Sequence, residues 1–295
     1  MIFTGMQTRK VDGHTMVCGL IGNPVEHTSS PAIHNTLANI CGQNLVYVPF
    51  KVESGSVADA VKGAFELNIL GMNVTVPHKI EVKDALIDID DLAKQIGAVN
   101  TLVRKEDGYK GYNTDIFGLE RALLSDGVTL KDRTVVVLGA GGAARAAAFL
   151  CAKMGARKGY ILNRSLDKAI SLAEDVNAFA KSDIMSAMSL SDYMNIEENN
   201  LIVLQSTSIG LSPNVDQAPI EDESFYSKIE YGFDLIYRPA QTRFMLLTEQ
   251  AGGRSSNGLK MLLYQGIVAY ELWNNVQVTE EQAMRVLAEL EESIK

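Results

Sequence analysis

Short apolar runs alternate with segments of helical spacing along the whole chain, and this alternation predicts an α/β fold. The run at 134–138, Thr-Val-Val-Val-Leu, has no polar interruption, as expected for a parallel strand buried on both faces. Further strands are predicted at 16–21, 45–52, 69–77, 98–103, 109–112, 159–162, 201–204 and 231–237. Helices are predicted at 31–40, 57–66, 80–96, 117–125, 143–154, 167–176, 242–250, 258–273 and 279–294, with a helical patch near 189–194.

A glycine turn directly follows the strand at 134–138 and has the pattern G-x-G-x-x-A. In such a turn the first glycine bends the chain, the second lets the backbone approach a pyrophosphate, and the last small residue lets helix and strand pack closely. The N-terminus of the helix that follows offers unpaired N–H groups to phosphates. We therefore predict a dinucleotide site formed by Gly139, Ala140, Gly141, Gly142 and Ala143.

The end of the next predicted strand indicates which dinucleotide is bound. An enzyme that uses NAD places an acidic residue on the ribose hydroxyls about 20 residues past the turn. Here Asn163, Arg164 and Ser165 occupy that region. A guanidinium binds a 2′-phosphate that an acidic side chain would repel, so NADP is predicted, with Lys168 as a second cation. The alternative for Arg164 and Lys168 is that each is a solvated surface charge.

Composition narrows the classes of function. The chain has 295 residues, enough for two domains with their own cores. Its formal net charge of −9 and the absence of a basic run argue against nucleic acid or an anionic membrane as a partner. Three scattered cysteines and no run of about 18 apolar residues favour a cytoplasmic protein with reduced thiols. The four histidines lack metal-ligand spacing, so no metal is expected.

Eight blocks of the sequence resemble the shikimate dehydrogenase family, in the family's order. The first four are Gly22-Asn23-Pro24 with Thr28-x-Ser30-Pro31, Asn73-Val74-Thr75-Val76-Pro77-x-Lys79, Gly97-Ala98-Val99-Asn100-Thr101 and Asn113-Thr114-Asp115. The other four are Gly139-Ala140-Gly141-Gly142-Ala143, Asn163-Arg164-Ser165, Asp234-x-x-Tyr237-x-Pro239 and Asn257-Gly258-x-x-Met261-Leu262-x-x-Gln265. The resemblance implies NADPH-dependent, reversible reduction of 3-dehydroshikimate to shikimate in aromatic amino acid biosynthesis.

The resemblance also implies roles for individual residues. Lys79 and Asp115 would be the catalytic pair. Gly258 and Met261 would lie near the nicotinamide, and Thr207 belongs to a small polar loop of the kind that lines a nucleotide. The hydroxyls and carboxylate of the substrate would be bound by Thr28, Ser30, Thr75, Asn100, Tyr237 and Gln265.

The chain departs from the family's usual residues at three places. Thr28 replaces a serine, and its extra methyl narrows the pocket for the ring. The loop at 205–208 reads Gln-Ser-Thr-Ser where Asn-Ala-Thr-Ser is usual, and Ile116 replaces a common glycine. The threonine leaves open how strictly the protein prefers shikimate over quinate, while the loop bears on the cofactor contacts and Ile116 on how Asp115 is presented.

The order of the blocks predicts two domains. An N-terminal α/β substrate domain would comprise residues 1–116 and 257–295, and a Rossmann-like NADP-binding domain at 117–256 would be inserted into it. The C-terminal helices are expected to pack back on the first domain. The expected partner is a small-molecule substrate, and the expected assembly is a monomer or a homodimer.

The chemistry of the residue types agrees with the implied reaction. A lysine ammonium can protonate the alkoxide that develops during carbonyl reduction, and a neighbouring aspartate can hold that charge. Oxidation needs the neutral amine, so shikimate oxidation should accelerate as the pH rises through the alkaline range. Taken singly, Lys79 would be a solvated lysine after a proline, and Asp115 would be the N-cap of a helix that begins near Phe117.

Two other functions remain open at this point. One is a quinate/shikimate dehydrogenase that uses NAD. Arg164, with no acidic residue directly behind it, argues against this function, although Asp167 lies close. The other is a non-catalytic sensor that binds the ring acid, and the presence of both Lys79 and Asp115 argues against it.

Overall fold

The computed structural model describes residues 11–293, and its strands form two six-stranded sheets. The first sheet has the order β2-β1-β3-β5-β6-β4, in which β2, β1 and β3 are parallel and β5 and β6 continue antiparallel. Its strands are β1 (Met16–Gly22), β2 (Leu45–Lys51), β3 (Gly71–Val74), β4 (Asp88–Ile89), β5 (Thr101–Arg104) and β6 (Tyr109–Tyr112). The helices of this part are α1 (Ser30–Ile40), α2 (Val57–Glu66), α3 (Asp91–Ile96) and α4 (Asp115–Ser125).

The second sheet is parallel throughout and has the order β12-β11-β10-β7-β8-β9. Its strands are β7 (Thr134–Leu138), β8 (Lys158–Asn163), β9 (Met185–Ser189), β10 (Leu201–Gln205), β11 (Ile229–Asp234) and β12 (Arg254–Ser256). Between them lie α5 (Gly142–Lys153), α6 (Leu166–Ala180), α7 (Glu223–Tyr226) and α8 (Arg243–Gln250). All five residues of β7 are buried, as the apolar run predicted.

The last two helices, α9 (Leu259–Asn274) and α10 (Glu280–Ser293), return to the first sheet. Helix α9 packs on α4 and α1, and α10 packs on α1. Trp273 of α9 donates from Nε1 to the Leu102 carbonyl of β5 at 2.9 Å. The second sheet is therefore formed by a segment inserted between two parts of the chain that fold together, which confirms the predicted arrangement.

The single helix predicted at 80–96 is wrong. A 3₁₀ segment (Glu81–Ala85), the short strand β4 and helix α3 occupy this stretch instead. The Asp90 carboxylate accepts the N–H groups of Leu92 at 3.1 Å and Ala93 at 3.4 Å, so a new helix starts there. Pairing of β4 with β6 holds the preceding residues in extended form.

Besides β4, three elements have no counterpart among the predicted ones: β9, β12 and α7. The two strands carry many small or polar residues and are only partly buried at the sheet edges, so they lack an apolar run. The strand predicted at 69–77 is shorter, and the remaining elements are confirmed with ends shifted by a few residues. The predicted helix end at Ile294 and the domain limits at residues 1 and 295 lie outside the described residues.

Candidate active site

A cavity of about 320 Å³ lies between the carboxyl ends of β1 and β3 and the segments that follow β11. Its walls come from loops that are far apart in the sequence. The cavity brings together all the residues predicted as catalytic or substrate-binding, and two of those predicted for the cofactor. They are Lys79 and Asp115, then Thr28, Ser30, Thr75, Asn100, Tyr237 and Gln265, and finally Gly258 and Met261.

Lys79 and Asp115 form an ion pair inside this cavity. Lys79 Nζ lies 2.7 Å from Asp115 Oδ2, and the two side chains are 26% and 13% exposed. Asn100 Nδ2 donates to the other carboxylate oxygen, Oδ1, at 2.8 Å. Asp115 is the first residue of α4 and its N-cap is Thr114, so the interpretation of Asp115 as the N-cap is wrong. Each carboxylate oxygen thus has one strong donor, and the ammonium is held at a fixed place.

The loop that carries Lys79 is fixed from both sides. The fully buried His78 donates from Nε2 to the Val52 carbonyl at 2.8 Å, which ties the loop to the end of β2. The Lys79 carbonyl accepts the Val99 N–H at 2.8 Å. Val99 directly precedes Asn100, so one short segment contacts both members of the ion pair.

The side chain of Asn73 lines the cavity and is the centre of a buried network. Its Oδ1 accepts from the Tyr47 hydroxyl at 2.8 Å and faces His34 Nε2 at 3.1 Å, and its Nδ2 donates to Thr101 Oγ1 at 3.2 Å. Burial lowers the pKa of His34 to about 3, so the ring is neutral and its one proton lies on Nε2. No sequence pattern assigns a role to Asn73. Its only signal was its place in a family block.

The segment at 28–30 presents hydroxyls to the cavity. Thr28 Oγ1 donates to Ser30 Oγ at 3.2 Å and accepts the Ser30 N–H at 3.3 Å. On the opposite wall, Gln265 of α9 donates from Nε2 to the Leu262 carbonyl of its own helix at 2.9 Å. The cavity therefore combines hydroxyls, amide groups and one ammonium, which suits a polyhydroxylated ligand with an acidic group.

Asp234, at the end of β11, fixes the segment that leads to Tyr237. Its Oδ2 accepts from Thr242 Oγ1 at 2.6 Å and its Oδ1 accepts the Ile236 N–H at 3.0 Å. Burial raises the pKa of Asp234 to about 6, although both of these hydrogen bonds oppose the shift. In addition, Gln205 Nε2 approaches Oδ1 at 3.5 Å, so the same carboxylate also contacts the end of β10.

The glycine turn at 139–143 lies at the carboxyl end of β7. The strand order changes direction between β7 and β10, and open α/β sheets bind ligands at such a point. Gly139 has φ +111°, and a Cβ there would lie 3.1 Å from Ser206 Oγ, so both conformation and space favour glycine. Gly141, Gly142 and Ala143 are exposed at the start of α5, while Ala140 is half-buried. Their backbone N–H groups can therefore reach a phosphate.

The loop after β10 faces this turn. Ser206 donates from Oγ to the Leu138 carbonyl at 2.6 Å, and the half-buried Thr207 donates its N–H to Gln205 Oε1 at 2.7 Å. The glutamine that replaces the family's usual asparagine thus bonds within its own loop and holds Thr207 beside the turn.

The predicted 2′-phosphate residues lie apart from the 320 Å³ cavity, at the end of β8 and the start of α6. Asn163 donates from Nδ2 to the Ser165 carbonyl at 2.9 Å. Arg164, Ser165 and Lys168 are exposed, and in the described part of the chain neither cation makes a hydrogen bond or an ion pair. Gly139 donates its N–H to the Leu162 carbonyl at 2.8 Å, so these residues are neighbours of the glycine turn.

Other features place limits on the site. Across residues 11–293, no group of three or more His, Cys, Asp or Glu side chains is arranged to hold a metal ion. Within the same range, the helices are too short or too polar to cross a membrane. A wider groove of about 950 Å³ lies between α4, α9 and α10, but none of the predicted site residues lines it.

The fold and the cavity together define a class of protein: a two-domain α/β protein with a glycine turn of the dinucleotide-binding type and a lysine–aspartate pair in a separate cavity. Comparison with known proteins agrees. Residues 20–102 match the family model of the shikimate dehydrogenase substrate binding domain, and residues 122–223 match the model of shikimate/quinate 5-dehydrogenase.

Individual relatives cover nearly the whole chain. A shikimate dehydrogenase (NADP(+)) from Desulforamulus reducens is 40% identical over 283 residues, which is 94% of this chain and 96% of the relative. A crystal structure of a shikimate dehydrogenase in complex with NADP+ is 35% identical, with a TM-score of 0.90 over 99% of this chain and 100% of that one. The chain belongs to the shikimate dehydrogenase family.

The family likeness extends to an enzyme with another substrate. The 5-ketofructose reductase of Gluconobacter sp. strain CHM43 is 31% identical, with a TM-score of 0.82 over 96% of this chain and 100% of that one. Fold and overall sequence identity therefore do not determine the substrate, which has to be inferred from the residues of the cavity.

Proposed function

We propose that this protein catalyses the reversible, NADPH-dependent reduction of 3-dehydroshikimate to shikimate, as part of aromatic amino acid biosynthesis. The observation that carries the proposal is the 2.7 Å pair of Lys79 and Asp115 inside a cavity lined by hydroxyls and amides. This arrangement joins a proton donor to groups that suit a hydroxylated ring acid. The names of the relatives support the same reaction.

Lys79 acts as the proton donor during reduction. When bound, the dinucleotide would supply the hydride to the carbonyl carbon. The Lys79 ammonium gives its proton to the carbonyl oxygen as negative charge develops there, and the neutral amine then takes a proton from solvent. Asp115 holds Lys79 within reach of that oxygen and accepts a hydrogen bond from a neighbouring ring hydroxyl. The reverse reaction runs through the same groups, with Lys79 as the base.

Six further side chains would hold the ring in place. Bonds to several hydroxyls and to the carboxylate fix the reacting carbon in one orientation, and such orientation contributes a large part of the rate. Asn100 already binds Asp115, so it can place one hydroxyl next to the catalytic pair. The six proposed residues are Thr28, Ser30, Thr75, Asn100, Tyr237 and Gln265.

The second sheet would bind NADP. The backbone of Gly139, Ala140, Gly141, Gly142 and Ala143 fits a pyrophosphate, because the last three of these residues are exposed and no side chain stands in front of the start of α5. Asn163, Arg164, Ser165 and Lys168 would hold the 2′-phosphate, and the unpaired cations support this assignment. Thr207, Gly258 and Met261 would complete the site towards the nicotinamide, next to the substrate cavity.

The wider setting follows from this activity. We propose a cytoplasmic enzyme that is a monomer or a homodimer and acts on a small molecule. The proposed domain limits remain 1–116 with 257–295, and 117–256. Helix α4 contacts both α9 and α5, so it spans the boundary between the two domains.

A matrix of substrates and cofactors tests the proposal. The purified protein is mixed with shikimate or quinate and with NADP+ or NAD+, and the absorbance of the reduced nicotinamide is followed. A fifth reaction offers 5-ketofructose with NADPH, because one relative acts on that sugar. We expect strong turnover only with shikimate and NADP+.

Each other result has a defined meaning. Turnover with quinate or NAD+ would indicate the broader dehydrogenase and direct attention to Thr28 and Asp167. Turnover of 5-ketofructose alone would replace the proposed substrate. No turnover with any pair, while shikimate still raises the melting temperature, would contradict the enzymatic proposal and favour the sensor.

A further inference from the structure

Arg145 connects the two sheets at a point outside the substrate cavity. It lies on α5, one turn after the glycine turn, and its N–H donates to the Gly141 carbonyl at 2.9 Å. Its guanidinium reaches the end of α3, where Nε donates to the Ile96 carbonyl and Nη2 approaches the Gln95 carbonyl at 3.5 Å. The last carbonyls of a helix lack partners within the helix, and a cation is favoured there. Arg145 therefore caps α3 from the other sheet.

The residue after Ile96 leaves room for this contact. Gly97 has φ +79°, a conformation that favours glycine, and ends α3 by donating its N–H to the Ala93 carbonyl at 3.0 Å. A Cβ on Gly97 would lie 3.5 Å from Arg145 Nη2, so the guanidinium packs directly against the glycine. The end of α3 and the Arg145 guanidinium are thus in close contact.

The segment that begins at Gly97 leads directly to the catalytic pair. The Ala98 carbonyl accepts from Asn113 Nδ2 at 3.0 Å. The Val99 N–H donates to the Lys79 carbonyl at 2.8 Å, and Asn100 Nδ2 donates to Asp115 Oδ1 at 2.8 Å. Four residues past the Arg145 contact, the chain has therefore touched both partners of the ion pair.

The other end of the connection is the proposed pyrophosphate site. A phosphate bound at the start of α5 restrains that helix, and Arg145 lies only one turn away. A hydrogen bond needs its donor and acceptor at about 3 Å, so the contact with α3 forms at one relative placement of the two sheets only. The dinucleotide and the ring acid would then favour the same placement, and each would strengthen binding of the other.

We propose that Arg145 is a positioning residue that couples dinucleotide binding at the glycine turn to the geometry of the Lys79–Asp115 pair, so that NADP(H) and shikimate bind cooperatively. This inference rests on the proposed function. Nothing in the reaction requires Arg145 to touch either ligand.

The test is a binding cycle with shikimate and NADPH, which are both reduced and so cannot react with each other. Calorimetry gives the affinity for shikimate with and without saturating NADPH. We expect wild-type protein to bind shikimate about fivefold or more tightly with NADPH present. Arg145→Ala should bring this ratio close to one and lower kcat, while leaving the affinity for shikimate alone unchanged. Arg145→Lys keeps one donor, should recover part of the ratio, and serves if the alanine variant folds poorly.

Asp175 provides the matched control. Asp175 lies on α6 and pairs with Arg145 Nη2 at 2.8 Å. Helices α5 and α6 both pack on the second sheet, so this ion pair does not connect the two sheets. Asp175→Asn should therefore keep the wild-type ratio within about twofold. Equal loss in Asp175→Asn and Arg145→Ala would overturn the inference, as would a wild-type ratio of one or full coupling in Arg145→Ala. Wild-type protein that neither binds nor oxidises shikimate would instead reject the proposed function, and the inference with it.

Discussion

The substrate side of the site and the 2′-phosphate side differ in how their polar groups are satisfied. In the cavity, Asp115 is bonded to both Lys79 and Asn100, and all three residues are at most partly exposed. At the end of β8, Arg164 and Lys168 are exposed and make no hydrogen bond or ion pair within the described chain. One side is arranged before any ligand arrives, and the other presents free cations to the solvent.

This difference separates two tasks. A proton donor must stand at a fixed place when charge develops on the substrate, and prior hydrogen bonds fix it there. A phosphate brings two negative charges and several acceptors of its own, so its partners need only to be available. Changes in the cavity should therefore act mainly on kcat, and changes at Arg164 mainly on the affinity for the cofactor.

The largest effect is expected for Lys79→Ala. Loss of the proton donor should lower kcat by about 10²- to 10⁴-fold with little change in the KM for NADPH. Steady-state kinetics in the direction of 3-dehydroshikimate reduction measures both quantities. Lys83→Ala is the control, since this lysine lies in the following 3₁₀ segment and does not line the cavity. A Lys79→Ala enzyme within a few-fold of wild-type kcat would remove Lys79 from the chemistry.

Asp234 contacts both the segment before Tyr237 and the end of β10, so its effect should appear in the stability of the fold. Its pKa is raised from 3.8 to about 6 by burial, so the native state holds the proton more tightly than the unfolded chain. The resulting stabilisation is complete below pH 3.8 and is lost as the pH rises through 6, by about 3 kcal/mol at most.

Asp234→Asn isolates this contribution, since an amide does not ionise. Urea unfolding at pH 4 and pH 7.5 gives the free energy of unfolding of both proteins, and the shifts of all other carboxylates cancel in the difference. From pH 4 to pH 7.5, the free energy of unfolding of the variant should rise relative to that of wild-type protein by about 2 to 3 kcal/mol. A difference that does not depend on pH would mean that Asp234 keeps an ordinary pKa in the folded protein.

Some features of the fold and of the site could be predicted from the sequence, and others could not. The glycine turn and its strand were readable because local rules determine them: an apolar run, a φ only glycine tolerates at residue 139, and a helix start. The break of the predicted helix at 80–96 was not readable. It depends on pairing of β4 with β6, which lies about twenty residues further along the chain, and on Asp90 capping α3.

The family blocks predicted which residues line the cavity, but not the hydrogen bonds between them. No pattern of spacing connects Asn73 with Tyr47 and His34, because these residues meet only when β1, β2 and β3 align with α1. Arg145 lies one turn after the glycine turn, yet its partner on α3 is almost fifty residues earlier. Contacts between distant segments determine the electrostatics of the site, and these are the features that a single sequence leaves out.

The free cations give the next prediction. Arg164→Ala should raise the KM for NADPH about tenfold and leave kcat unchanged, since a charge-assisted hydrogen bond at an exposed site contributes roughly 1.5 kcal/mol. Lys168→Ala should act in the same direction but less. Arg157→Ala removes an equal charge at the opposite end of β8 and should have no effect on KM. An unchanged KM in Arg164→Ala would contradict the assignment of the 2′-phosphate site.

The smallest effect is expected for removal of the methyl group of Thr28, which tests the substrate cavity. Quinate lacks the ring double bond of shikimate and carries one more hydroxyl, so it needs more room in the same cavity. Thr28→Ser keeps the hydroxyl that bonds Ser30 and removes only the methyl, which corresponds to about 0.8 kcal/mol or a factor of about four. The ratio of kcat/KM for quinate to that for shikimate should rise by this factor.

Thr36→Ser is the matched control, because Thr36 lies on α1, bonds Glu289 of α10 at 2.6 Å and does not line the cavity. It loses the same methyl and should leave the ratio unchanged. If Thr28→Ser also left the ratio unchanged, the methyl would not face the ring, and discrimination would have to come from the hydroxyls and amides of the cavity. A fall in the ratio would mean that the methyl contacts quinate favourably, and that the cavity suits quinate better than shikimate.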